Sequence, residues 1–366
     1  MKRHIYYYIV ALMIISLVSV AFGCAEQAPA PAPTPAPKPA PAPATPSDLA
    51  VGTKFMPSTT YVSGVAVVKT INKHVEGITA HVASYPTDSI YPDAYAAGRL
   101  DLSIGSSSTT IENVFGMGKW KDRGAAPMRQ IGIGDPVFLG VLAHPNSGIN
   151  TPADLKGKKW MIIRPGSALL RTMADAIMYG YGLTENDVDV LEHSSSKEMT
   201  DALKEGRVDA IGWPYYKASP WVEELAMAGK VKIISDTPEG LQKIMGKYPQ
   251  FMPMTLQAGL YKGQDKEVKT FGIYQTLDCS ADLSADVVYA VTTALFNNYE
   301  EWLAYHSSIG GYRLPGGIDV EKIGIPIHEG AIRYYKEKGL WTAAHEAKQK
   351  ELLEKVKAAG PFKPKT

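Results

Sequence analysis

Arg164-Pro165-Gly166-Ser167 has the residue types and the spacing to hold an anion. The apolar run Trp160 to Ile163 ahead of it is long enough for a buried strand and too short for a helix. Pro165 and Gly166 break that run. Ser167 then stands where a helix N-cap belongs, before Leu169, Met173, Ala176 and Ile177 at helical spacing. A strand turning through Gly-Ser into a helix leaves backbone N–H groups unpaired at the positive end of the helix dipole, which suits a carboxylate. Arg164 adds a planar fork able to grip the same group with two hydrogen bonds.

Other polar loops in the chain follow the same plan. One, from Lys54 to Thr60, offers Ser58 and Thr59, with Tyr61 just inside the following helix. A second offers Thr87, Asp88 and Ser89, where Asp88 has the charge to meet an amine on a ligand; a third offers Ser106 and Ser107. Trp213 opens the loop Trp213-Pro214-Tyr215-Tyr216 and is the aromatic candidate for a ligand clamp.

The elements that must position these loops come as a repeated block. In the first, strands are expected at 49–52, 78–83 and 101–104, with a helix between each pair, the first showing Tyr61, Val65, Val68, Ile71 and Val75 along one face. About 110 residues later the order recurs, with strands at 160–163, 188–191 and near 208–211. Gly98-Arg99-Leu100-Asp101 is echoed by Gly206-Arg207-Val208-Asp209. Alternating strands and helices imply parallel sheets with right-handed crossovers, so all six exit loops gather at the carboxyl ends of strands, where open α/β sheets bind ligands. The apolar stretch 128–143 is expected to cross from one domain to the other, and 252–261 to return; residues 265–340 are expected to be mainly helical.

With 366 residues and a net charge of +1, the chain has room for two domains and no electrostatic case for nucleic acid. Cys24 and Cys279 are its only cysteines, neither in a CxxC pair nor beside a histidine at metal-ligand spacing, so no metal or cofactor is expected. Motifs for serine hydrolases, zinc proteases, phosphate loops and dinucleotide binding are missing, which argues against an enzyme. Residues 1–24 read as a lipoprotein signal peptide: Lys2 and Arg3, an apolar stretch, then Ala21-Phe22-Gly23-Cys24, with Cys24 as the lipidated residue. An Ala/Pro-rich linker over 25–48 follows, favouring extended polyproline geometry at roughly 3.1 Å per residue. The expected product is an exported domain tethered by lipid to the outer face of the cell membrane.

Three features together resemble the TAXI family of solute receptors, which serve a subset of TRAP transporters. They are Asp154-Leu155-Lys156-Gly157-Lys158 leading to Pro165-Gly166-Ser167, the two Gly-Arg-hydrophobic-Asp repeats, and the stretch from Ile325-Pro326-Ile327-His328 to Lys338-Gly339. The resemblance implies an α/β fold of the periplasmic-binding-protein type II, two lobes with mostly parallel sheets joined by a two-strand hinge. On this plan lobe I is discontinuous over 49–135 and 256–345, lobe II spans 136–255, and a C-terminal helix and tail occupy 346–366. The implied function is closure on a small carboxylate, such as glutamate or a 2-oxo acid, for delivery to a TRAP-type membrane permease driven by an ion gradient. The substrate-binding lipoprotein of an ABC-type importer is the alternative, and an exported hydrolytic lipoprotein a third.

Overall fold

A computed structural model describes residues 48–56, 58–165, 167–217 and 219–365. The signal segment, Cys24, all of the linker but its last residue, and Gly166 lie outside the described residues.

The first block folds into strand β1 (Asp48–Lys54), helix α1 (Thr59–His74), β2 (Thr79–Tyr85), the short α2 (Tyr91–Ala96), β3 (Leu102–Ser106) and α3 (Ser107–Val114). β1 lies between β2 and β3 and runs parallel to both. The buried face of α1 differs from the expected stripe: Ser63, Gly64, Ala66, Val67, Thr70 and Ile71 face inward, while Tyr61, Val65, Val68 and Val75 are only half-buried. The reason is close packing by small residues. A Cβ on Gly64 would lie 2.2 Å from the Thr53 methyl, so the helix is drawn onto β1 along its Ser/Gly/Ala side.

The chain then leaves through β4 (Met128–Leu139) and, after Gly140, β5 (Val141–Ala143). The second block follows as β6 (Lys159–Ile163), α4 (Ala168–Tyr181), β7 (Asp189–Glu192), α5 (Ser196–Lys204) and β8 (Ala210–Gly212), with β6 parallel to both β7 and β8. α6 (Pro220–Met227), β9 (Lys232–Ile233) and α7 (Pro238–Lys247) complete this part. β10 (Met252–Leu256) and the long β11 (Val268–Ser280) lead back, and α8 (Ala285–Asn297), α9 (Tyr299–Leu303), α10 (Glu329–Glu337) and α11 (Ala343–Ala359) end the chain.

Two sheets result. One has the order β10-β11-β3-β1-β2 with β4 also paired to β11, and the other β7-β6-β8-β5-β9. Among the described strands, only those of the repeated blocks pair in parallel. β4, β5, β9, β10 and β11 pair antiparallel, so the sheets are mixed rather than mostly parallel: strands that carry the chain between sheets enter against the local direction.

Stretch 265–340 holds more helix than strand, as expected, but it opens with β11, whose thirteen residues form the central crossing strand. It pairs with β4 from Ser280↔Met128 to Phe271↔Leu139. Its end at Leu277 and Cys279 packs in the first core with Leu49, Val51 and Val67, while Phe271 and Ile273 pack in the second with Trp160, Ile162 and Ile177. β10 lies along the start of β11, and its Leu256 and the nearby Tyr261 pack with second-sheet residues. The chain's final passage to the first core is therefore β11 itself. This is the architecture the sequence resemblance implied: two α/β lobes joined through paired crossing strands.

Candidate functional site

A cleft of about 580 Å3 is lined by exit loops of both lobes. Because β1, β2 and β3 are parallel, their loops open at one edge of the first sheet; β6 and β8 present theirs from the second. The loop after β1 and the loop after β6 have the same length, each placing a serine N-cap four residues beyond the strand. Ser58 accepts from the Tyr61 N–H at 3.3 Å, and Ser167 from Leu170 at 3.5 Å. α3 is different: Ser106 makes no side-chain cap, so its hydroxyl is free for another partner.

That partner is Asp88. The Ser106 hydroxyl donates to Asp88 Oδ2 at 2.8 Å, Thr87 donates to Oδ1 at 3.3 Å, and Lys54 Nζ lies 3.6 Å from Oδ2. Asp88 is only 7% exposed. Burial works to raise its carboxyl; the Lys54 ammonium and the two hydroxyls outweigh burial and hold it below the ordinary carboxylate range. Asp88 therefore already has a cation, supplied by this chain, where the sequence left it open to an amine on the ligand.

The cations on the cleft wall are Lys54, Lys119 and Arg164, against the single carboxylate of Asp88. Lys119 Nζ donates to Ser89 Oγ at 2.9 Å. The exposed Arg164 guanidinium lies 5.7 Å from the centre of the Trp213 ring, and among the described residues no carboxylate pairs with it. Behind Trp213 the buried His193 makes an edge-on contact at 5.2 Å. Burial holds His193 below the ordinary histidine range; the Ser195 carbonyl on its Nδ1 opposes this shift and Arg164 adds to it. Trp213 thus has both a cation and an imidazole against its ring.

Of the residues singled out in the sequence, Ser58, Thr87, Asp88, Ser89, Ser106, Arg164, Ser167 and Trp213 line one cleft. Three do not. The Ser107 hydroxyl accepts from the Tyr274 N–H at 2.9 Å and so braces β11. Tyr61 is half-buried in the first turn of α1, off the lining. Thr59 has another role: its hydroxyl meets that of Tyr216, on the exit loop of β8, at 3.0 Å, joining the two lobes beside the cleft. Of the six exit loops only the one after β7 contributes nothing to the lining; its His193 supports Trp213 instead. Sequence reasoning missed Lys54, Thr109 and Lys119 as lining groups, and the apolar Pro165, Ala168, Leu169 and Pro214. Leu169 carried a signal, since it follows a cap on the first turn of a helix whose N-terminus faces the loops; Lys119, in a single 3-10 turn, carried none.

Solved structures of similar architecture include a Xanthomonas citri protein with a bound chloride ion, aligned over 86% of this chain and 99% of that one at 9% identity and a TM-score of 0.51. The periplasmic aliphatic sulphonate binding protein SsuA from Escherichia coli aligns over 83% of this chain and 92% of its own at 14% identity, with a TM-score of 0.43. The periplasmic sulfonate-binding protein SsuA of a sulfonate ABC transporter from Methylobacillus flagellatus aligns over 87% and 98% at 15% identity and a TM-score of 0.45. At these identities the likeness is one of fold. A family model matches residues 51–339, a span that takes in both sheets and every residue lining the cleft, and on that match the chain belongs to the NMT1-like family.

Proposed function

We propose that this chain is an exported solute receptor, held at the membrane by lipid on Cys24, that closes its two lobes on a small organic anion and delivers it to a membrane permease. It catalyses no reaction of its own. The observation that carries the reading is the charge of the cleft: three cations, one carboxylate already neutralised by one of them, and the N-termini of α1, α3 and α4 at its wall. Ser58, Thr87, Ser106, Arg164, Ser167 and Trp213 are the residues proposed to touch the ligand, with Lys54 and Lys119 added to the set read from the sequence. The NMT1-like family match moves the reading from the TAXI-type TRAP receptor toward the receptor of an ABC-type importer. The TRAP reading is kept second, on the motif at 325–339.

Native mass spectrometry of the purified protein should find a small acid bound, and small-angle scattering should find the protein more compact when that acid is added back. A neutral or cationic molecule in the cleft, or turnover of the bound acid, would overturn the proposal. Uptake of the acid by cells separates the importers: an ABC system keeps working when the ion gradient is collapsed and stops when ATP is exhausted. For the anchor, Cys24→Ser should release the protein from the membrane fraction and change the size of its precursor; unaltered fractionation would reject lipidation.

A further inference from the structure

The two walls of the cleft differ in chemistry. Lobe I contributes Lys54, Ser58, Thr87, Ser106, Thr109 and Lys119, all polar, and Pro86 is its one apolar member. Lobe II contributes Pro165, Ala168, Leu169, Trp213 and Pro214, each exposed or half-exposed. Its polar members are Arg164, drawn over the Trp213 ring, and Ser167, which caps its own helix. A solute made only of charged and hydroxyl groups would leave the lobe II wall to lose its water against polar surface, which gains nothing from burial. A second asymmetry concerns positive charge on the solute. Its only carboxylate partner on the lining would be Asp88, which is buried, accepts two hydroxyl hydrogen bonds and faces Lys54 at 3.6 Å. An ammonium entering here would meet three cations and no free anion.

Resting on the anion-receptor reading, we infer that the solute is an acid with an apolar body and no ammonium group, its acid end against lobe I within reach of the Arg164 guanidinium and its body against Trp213 and Leu169 of lobe II. α-Amino acids, glutamate among them, are excluded. Lobe I takes the head, and lobe II closes over the body as an apolar cover that excludes water from the acid's hydrogen bonds.

Isothermal titration of the wild-type protein with acetate, butyrate and hexanoate tests this without any variant. Affinity should rise about fourfold for each methylene buried. Norleucine, which is hexanoate carrying an α-ammonium, should bind at least tenfold more weakly than hexanoate, and glutamate more weakly still. Hexanesulfonate serves as a second acid head; a rise in affinity over butanesulfonate supports the same inference. In Leu169→Asn the dependence on chain length should flatten, hexanoate losing more affinity than acetate. Acids that bind with no dependence on chain length, or norleucine or glutamate binding tighter than hexanoate, would overturn the inference and leave the anion receptor standing. If none of these acids binds while a neutral or cationic solute does, both fall.

Discussion

Lys54→Met removes the cation that holds Asp88, and the cost can be worked from the geometry. The two charges are 3.6 Å apart, with the Asp88 side chain 9% exposed and that of Lys54 36%. At an effective dielectric constant of about 20 their attraction is about 4–5 kcal/mol before desolvation is subtracted. Breaking a fully buried pair costs about 3–5 kcal/mol; water reaching Lys54, and the Ser106 and Thr87 hydroxyls that stay on Asp88, reduce this to about 2 kcal/mol. The loss should follow pH in a defined direction. Asp88 in the folded protein lies below its unfolded value of about 4, so its contribution is complete above about pH 4 and disappears as pH falls through the lower, folded value. Urea denaturation at pH 7 should therefore show the full difference between wild type and Lys54→Met, and at pH 3.5 a smaller one. Adding Asp88→Asn to Lys54→Met removes the stranded charge and should recover about half of the loss. An equal loss at both pH values, or a double variant no more stable than the single, would refute the account of Asp88 as a buried carboxylate held by Lys54.

Three further outcomes are expected. Tyr216→Phe deletes the hydroxyl contact with Thr59; a neutral hydrogen bond contributes about 0.5–1.5 kcal/mol, so the balance should move two- to tenfold toward an open cleft, read as a larger radius of gyration in the ligand-free protein, and an unchanged radius would count against the contact as a latch. Arg164→Ala should weaken binding of the acid found to bind by roughly ten- to hundredfold in titration calorimetry while leaving the melting temperature alone, since Arg164 is exposed and without a carboxylate partner among the described residues; an unaltered dissociation constant would remove Arg164 from the site. Burial raises Asp278 to about 7, against the Thr276 and Thr110 hydroxyls that favour its charge, so ionising it costs the folded state stability that is lost as pH rises from about 4 to about 7; Asp278→Asn should gain on wild type in urea between pH 5 and pH 8, and a constant difference would reject the assignment.

The six exit loops were legible because Gly, Pro, Ser and Asp punctuate them and because helical and strand periods alternate between them. Equal spacing in the two blocks makes Ser58 and Ser167 comparable from the order of residues alone. β11 was not legible: β3 and β4 flank it on both sides and cores cover both faces, so Leu277, Asp278, Cys279 and Ser280 are all buried and no alternation marks a strand. The Lys54–Asp88 pair was invisible for another reason. It depends on the parallel register that sets Lys54 opposite Tyr85, and no local pattern reports a register. The motif behind the TAXI resemblance also has a local explanation. Ile325, Ile327 and Tyr335 are buried, His328 accepts from the Gly330 N–H, and a Cβ on Gly330 would lie 2.3 Å from the Ala285 carbonyl. Those residues pack α10 against α8, away from the cleft, so they mark a way of building lobe I.

β11 also sets the order in which this molecule can assemble. Lobe I begins with residue 48, yet its sheet has β11 between β3 and β4, and those positions are not made until residue 280. Until then β3 has an open edge, and Leu102 and Ile104 lack Cys279 and Leu277 beside them. A chain emerging from its amino end therefore has lobe II complete in sequence before lobe I can close, and the first lobe to be synthesised is the last to fold. Shared strands further make melting a joint event. Fraying either core pulls on the same thirteen residues, so heat should unfold both lobes in one transition, and a fragment ending before residue 268 should hold neither lobe in its native form.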